Sequence, residues 1–140
     1  MAGTRAAATE SHRIGEIGEN AAVRFLMQER GMTILARNWR NPRDKREEVD
    51  VVCRSPEGVL VFVEVKTYPS DRLFGGYATI NARKKSVLKH AARSYLRGLG
   101  SGRHELTYRL DVVVIERTGD GQLIPHHFVN VPLFSSGKHV

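Results

Sequence analysis

EEVDVVCRSPEGVLVFVEVK, residues 47–66, is the stretch that decides the fold. Two apolar runs, 49–54 and 59–66, flank Ser55-Pro56-Glu57-Gly58, whose composition is that of a turn. They read as an antiparallel hairpin. Successive strand residues point to opposite faces, so Glu64 and Lys66 share one face while Val61, Val63 and Val65 occupy the other. Glu48 and Asp50 likewise share a face on the first strand. A turn centred on Pro56-Glu57 sets Asp50 opposite Glu64, which brings two carboxylates and an ammonium to one end of a sheet.

That grouping has a chemical use. Magnesium takes one or two protein carboxylates and fills its remaining positions with waters and substrate phosphate. Asp50 and Glu64 are the expected metal ligands, the Val65 carbonyl is a neutral third donor, and the expected ion is Mg²⁺ or Mn²⁺. Lys66 is placed to hold an attacking water or to stabilise the charge that builds on a phosphate. Glu48 is an additional acidic candidate. An E-x-K pair alone is equally an exposed ion pair on a strand. The acidic strand before it, and the helices on either side, raise its weight.

Outward from the hairpin the pattern changes period. Ile14, Ile17, Ala21, Ala22, Phe25 and Leu26 recur at helical spacing. Ser11 is the candidate N-cap and Gly31 the stop. Residues 32–38 read as a strand, and NPRDKR (41–46) as a polar loop. After the hairpin, residues 67–80 carry Pro69, Gly75 and Gly76 and read as a long loop. Asn81 caps a second helix reaching about Leu99, with a stripe of Val87, Leu88, Ala91, Ala92, Tyr95, Leu96 and Leu99. Residues 108–116 and 123–129 are strands around the turn TGDGQ (118–122). The order is α-β-β-β-α-β-β. Residues 1–11 read as a flexible tail, 12–134 as a single domain, and 135–140 as a C-terminal tail.

Bulk composition agrees with one domain. The chain has 140 residues, 41% of them apolar, enough for a core. Lys and Arg number 22 against 15 Asp and Glu, a net charge of +7 that favours a polyanionic partner such as nucleic acid. The single cysteine, Cys53, excludes an intrachain disulfide and cysteine-based zinc sites, and lies in an apolar run as a core residue would. No apolar run approaches the roughly 18 residues that span a bilayer, and no secretory signal is evident. The expectation is a cytoplasmic protein with no membrane partner.

Several segments in order carry a family resemblance. They are Gly15-Glu16-Ile17-Gly18-Glu19 with Ala22, Arg37-Asn38-Trp39-Arg40, Glu48-Val49-Asp50-Val51-Val52, and Val61-Phe62-Val63-Glu64-Val65-Lys66. Lys84 with Ala91-Ala92 and Tyr95-Leu96, and Arg109-Leu110-Asp111-Val112-Val113, complete the series. With these the chain resembles the YraN-type family of small bacterial proteins, the UPF0102 group, which in turn is similar to the PD-(D/E)XK nucleases and archaeal Holliday-junction resolvases. The resemblance implies a restriction-endonuclease-like α/β fold, a central mixed sheet flanked by helices. It implies that Asp50, Glu64 and Lys66 are the nuclease signature and that Glu19 is a helix-borne acid near the metal. It also implies DNA, branched or at a junction, as substrate, and a homodimer as the form that cuts two strands. Where the family usually has Gly-Glu-Ile-Asp, this chain has Glu47-Glu48-Val49-Asp50.

Other residues carry two readings each. Lys85, Lys89, Arg93 and Arg97 follow at i+4 steps on the second helix, as a phosphate-tracking ridge or as a solvated face. Lys84 lies nearer the apolar stripe and is expected at the cleft. Arg72 belongs to a basic, aromatic loop with Phe74 and Tyr77 that suits contact with nucleic acid. Trp39 is a stacking platform or, more simply, a core edge. Arg109 and Asp111 form a structural ion pair by default, and His126 and His127 diverge too far to share a metal. The leading expectation is a metal-dependent endonuclease. The rivals are a non-catalytic nucleic-acid-binding module on the same fold and a protein-interaction or assembly factor with a vestigial site.

Overall fold

The computed structural model describes residues 2–72, 82–100 and 107–131. Its elements follow the expected order: α1 (Ala2–Gln28), β1 (Thr33–Asn41), β2 (Asp44–Arg54), β3 (Leu60–Pro69), a 3-10 turn (Ser70–Arg72), α2 (Ala82–Gly98), β4 (Tyr108–Arg117) and β5 (Leu123–Phe128). The strands form one mixed sheet in sequential order. All neighbours are antiparallel except β3 and β4, which run parallel with α2 as their crossover. This is the α/β arrangement expected of a restriction-endonuclease-like fold.

The two helices cover opposite faces, which explains the nearly unbroken apolar runs of β3 and β4. On one face Ala22 and Leu26 of α1 pack on Val51, Cys53, Val61, Val63, Val113 and Ile115. On the other, Leu88, Ala91, Ala92 and Leu96 of α2 pack on Val52, Leu60, Phe62 and Leu110. Each fully buried aliphatic or Phe side chain here contributes about 1.5–3 kcal/mol. Trp39 is a core edge on the α2 face, edge-on to Tyr95 at 5.5 Å. Cys53 is fully buried, and burial pushes its thiol up to about 12.

Four expectations are corrected. Helix α1 starts at Ala2 instead of Ser11, so the segment read as a tail is helical; its alanines favour helix. The NPRDKR loop is a hairpin turn at Pro42-Arg43, and β2 already begins at Asp44. Ile17, placed in the buried stripe, is 41% exposed because it lies off the face that meets the sheet. Leu99 lies beyond the end of α2 and is exposed. The expected Asn81 cap, Phe74 to Tyr77 and the C-terminal tail 135–140 lie outside the described residues. Among the described residues no helix is long and apolar enough to cross a membrane.

Candidate active site

The site begins where β2 leaves β3. The two strands pair from Arg54↔Leu60 to Val51↔Val63, and the ladder ends there. One step further, Asp50 would face Glu64. Instead the Asp50 carboxylate accepts a hydrogen bond from the Val65 backbone N–H at 2.8 Å, filling a position that a strand would otherwise fill. Pairing of β3 with β4 continues to Pro69↔Arg117, so only one edge of β3 opens.

Asp50 reaches this position because strand alternation slips beside it. Val51 packs on the α1 face, yet Val49 and Val52 both pack on the α2 face. Across the ladder, between Arg37↔Val51 and Trp39↔Val49, Asn38 has φ of 51°. That left-handed conformation is tolerated by Asn better than by most residues. Burial raises the Glu19 carboxyl, and the Asn38 side chain is among the groups that oppose that rise. Asn38 was not among the expected site residues. An Asn among strand residues, next to the markers Arg37 and Trp39, was the available signal.

Glu64 lies on the α2 face and is only 4% exposed. Two ammonium groups approach it: Lys84 Nζ at 3.4 Å and Lys66 Nζ at 3.7 Å from Oε2. Burial and the neighbouring Asp50 charge nevertheless push its carboxyl up to about 7, and a hydrogen bond with Asp50 favours the protonated form further. Lys84 and Lys66 offset part of that rise. Glu19 is raised in the same direction, first by burial and then by Asp50, against the opposing pull of Arg37 and Asn38. Its Oε1 is buried without a hydrogen-bond partner.

On the α1 face the opening forms a cleft of about 330 Å³. Ser11, Ile14, Gly15 and Glu19 of α1 line it, with Asp50, Val65, Thr67 and Arg117 from the sheet. Helix α1 comes close to β3 here: a Cβ on Gly18 would fall inside the Thr67 hydroxyl. Gly18 thus lets the next residue, Glu19, approach the open strand end.

The structure therefore brings Asp50, Glu64, Lys66 and Lys84 together, with Glu19 entering from the α1 side. Glu48 stands apart in a part-exposed ion pair with Arg40 at 3.0 Å, although its charge still acts on Glu19. Glu47, standing where the family usually has Gly, accepts from Asn41 Nδ2 and Ser94 Oγ and ties the β1–β2 hairpin to α2. Along α2, Arg93 and Arg97 are exposed and Lys89 is half-buried. The Lys85 side chain lies outside the described residues. Arg72 is exposed at the end of the 3-10 turn. Arg117 is a cleft residue that sequence reasoning missed, because nothing in ER-TGDG separates it from an ordinary strand-end arginine.

The donor set suits a divalent cation of the magnesium type: two adjacent carboxylates on the open strand end, one of them destabilised in its charged form by its neighbour. Among the described residues, no three His, Cys, Asp or Glu side chains converge as a ready-made metal cage. His126 and His127 bind different carboxylates, Glu116 and Asp111, at 2.9 and 2.8 Å.

The profile of the Uncharacterised protein family UPF0102 matches residues 18–115. A UPF0102 protein of Symbiobacterium thermophilum is 41% identical over 113 residues, 81% of this chain and 90% of that protein. One from Corynebacterium efficiens is 35% identical over 120 residues, 84% and 91%. One from Albidiferax ferrireducens is 37% identical over 106 residues, 76% and 80%. The matched segment contains Glu19, Asp50, Glu64 and Lys66.

Proposed function

The chain belongs to the UPF0102 family, and from that premise and the geometry of its open strand end we propose that it is a metal-dependent phosphodiesterase that cuts DNA, with branched or junction DNA as its preferred form. One observation carries the reading. The β2–β3 ladder ends at Val51↔Val63, and the freed edge gathers Asp50, Glu64, Lys66 and Lys84. A purely structural ion pair does not need a second carboxylate whose charge adds to burial in pushing the first one's carboxyl up to about 7.

Asp50, Glu64 and the Val65 carbonyl would hold Mg²⁺ or Mn²⁺, which when bound would polarise the phosphodiester and make a water more acidic. The protein's own groups do the rest. Asp50 is oriented by the Val65 N–H and lines the cleft. Lys84 and Lys66 hold Glu64 in place and offset its charge. Lys66, with its side chain 31% exposed, is the cation that meets the charge building on the phosphate as water adds to phosphorus and the P–O bond to the leaving sugar breaks. Glu19 adds an acceptor on the α1 side. The net charge of +7 and the exposed Arg93 and Arg97 supply non-specific attraction to the backbone.

The test is cleavage of labelled single-stranded, duplex and four-way-junction DNA in Mg²⁺ or Mn²⁺. Wild type is expected to cut, and Asp50→Ala and Lys66→Ala to be inactive while folded. Cutting that persists unchanged in both variants would overturn the assignment.

A further inference from the structure

Two buried side-chain atoms among the described residues have no hydrogen-bond partner: Glu19 Oε1 and Arg117 Nε. Both residues line the same cleft on the α1 face. A buried polar atom left unpaired is costly, so two of opposite kind in one cleft call for a ligand that satisfies both. An acceptor lone pair at Glu19 wants a cation or a donor. The guanidinium N–H at Arg117 wants an oxyanion, for which arginine's planar fork is well suited.

The positions order these demands along β3. Glu19 stands with Asp50 and Val65 at the opened strand end, whereas Arg117 pairs with Pro69, four residues further along. At about 3.3 Å per residue this is roughly 13 Å of strand, part of which the long Arg117 side chain spans in reaching the cleft. The cleft volume, about 330 Å³, lies at the small end of ligand sites, roughly 300–1,000 Å³. It has room for a phosphate and its sugar from one strand.

We propose that Arg117 is a phosphate-binding residue that holds a backbone phosphate neighbouring the one cut at Asp50 and Glu64, so that one nucleic-acid strand runs along β3 on the α1 face. The proposal rests on the phosphodiesterase reading and adds the direction of the strand and a residue that reads it. Glu116, the adjacent acid, does not serve Arg117. Its carboxylate is held by Ser70 at 2.7 Å and His126 at 2.9 Å.

The test is binding of a short single-stranded DNA by fluorescence anisotropy over a salt series, in Ca²⁺, comparing wild type with Arg117→Gln and Arg117→Lys. Loss of one phosphate contact on a single strand lowers the salt slope by about 0.7. Arg117→Gln is therefore expected to bind about tenfold more weakly, the scale of one charge-assisted hydrogen bond, with that smaller slope. Arg117→Lys should keep the slope and lose affinity, since it keeps the charge and loses the fork. A merely structural arginine would change the melting temperature and leave the slope alone. If wild type binds and Arg117→Gln binds with unchanged affinity and slope, the anchor is overturned while the phosphodiesterase reading stands. If wild type does not bind the strand, the anchor is overturned, whereas the phosphodiesterase reading falls only if single-stranded, duplex and junction DNA are all left uncut. Should Arg117→Gln not fold, Arg117→Lys decides, and affinity equal to wild type overturns the proposal.

Discussion

Asp111 and Glu64 are neighbours with opposite fates. They sit on adjacent parallel strands, Asp111 opposite Val63 and Glu64 opposite Val112. Their relative exposures are 0% and 4%. Burial pushes both carboxyls up. At Asp111 hydrogen bonds from His127, Arg109 and the Asn130 N–H outweigh burial and hold the group below its ordinary value. Arg30 donates to His127 Nδ1, which leaves Nε2–H for Asp111. At Glu64 the nearest carboxylate adds to burial, two lysines only partly compensate, and the group rises to about 7. One buried acid has every need met by the fold. The other is left wanting a positive charge, as a cation site requires and a structural ion pair does not.

The largest expected effect breaks the satisfied end. Asp111→Ala leaves Arg109 and His127 without their carboxylate and should cost about 3–5 kcal/mol, read as a fall in denaturation midpoint, without a specific loss of cleavage in the molecules that remain folded. Lys66→Ala should do the reverse. It is expected to lower cleavage by about 10²–10³-fold, the scale of removing one electrostatic donor from a transition state, with little change in melting temperature.

Glu64→Gln sharpens the contrast. The folded pKa of Glu64, about 7, lies above the ordinary 4.5, so the folded state holds the proton more tightly than the unfolded state. Wild type should therefore be most stable below pH 4.5 as far as this group is concerned, losing up to about 3 kcal/mol as pH rises from there through 7. Glu64→Gln should lack that decline and melt higher than wild type at pH 8 without metal, while losing cleavage. A fall in its stability at pH 8 would contradict the reading. A smaller effect is expected at Gly18→Ala. The new methyl meets Thr67, so overpacking should cost about 1–3 kcal/mol and reduce cleavage by shifting Glu19. Adding Thr67→Ala should recover part of both, measured by melting and by cleavage rate.

How much of this was legible in the sequence follows from the physics of each residue. Period-2 alternation in VFVEVK and the turn at Pro56-Glu57 were enough to place Glu64 and Lys66 on one face and Asp50 near them. Both need only local geometry. The reach of Asp50 to the Val65 N–H was not legible, because it depends on the slip beside Asn38 and on the ladder ending at Val51↔Val63. Arg117 was illegible for a similar reason. Its role comes from the parallel β3–β4 register, set by an α2 crossover that no local pattern encodes. The tail expectation failed at α1 because a cap residue, Ser11, also serves inside a helix whose preceding residues favour helix.

The most direct measurement is a carbon-detected NMR titration of the Glu64 and Asp111 side-chain carboxyls, with and without Mg²⁺. Glu64 is predicted to titrate near 7 in metal-free protein and to fall well below that when Mg²⁺ is added, while Asp111 stays low in both conditions. A Glu64 carboxyl that titrates in the ordinary carboxylate range, or that Mg²⁺ leaves unmoved, would contradict the account.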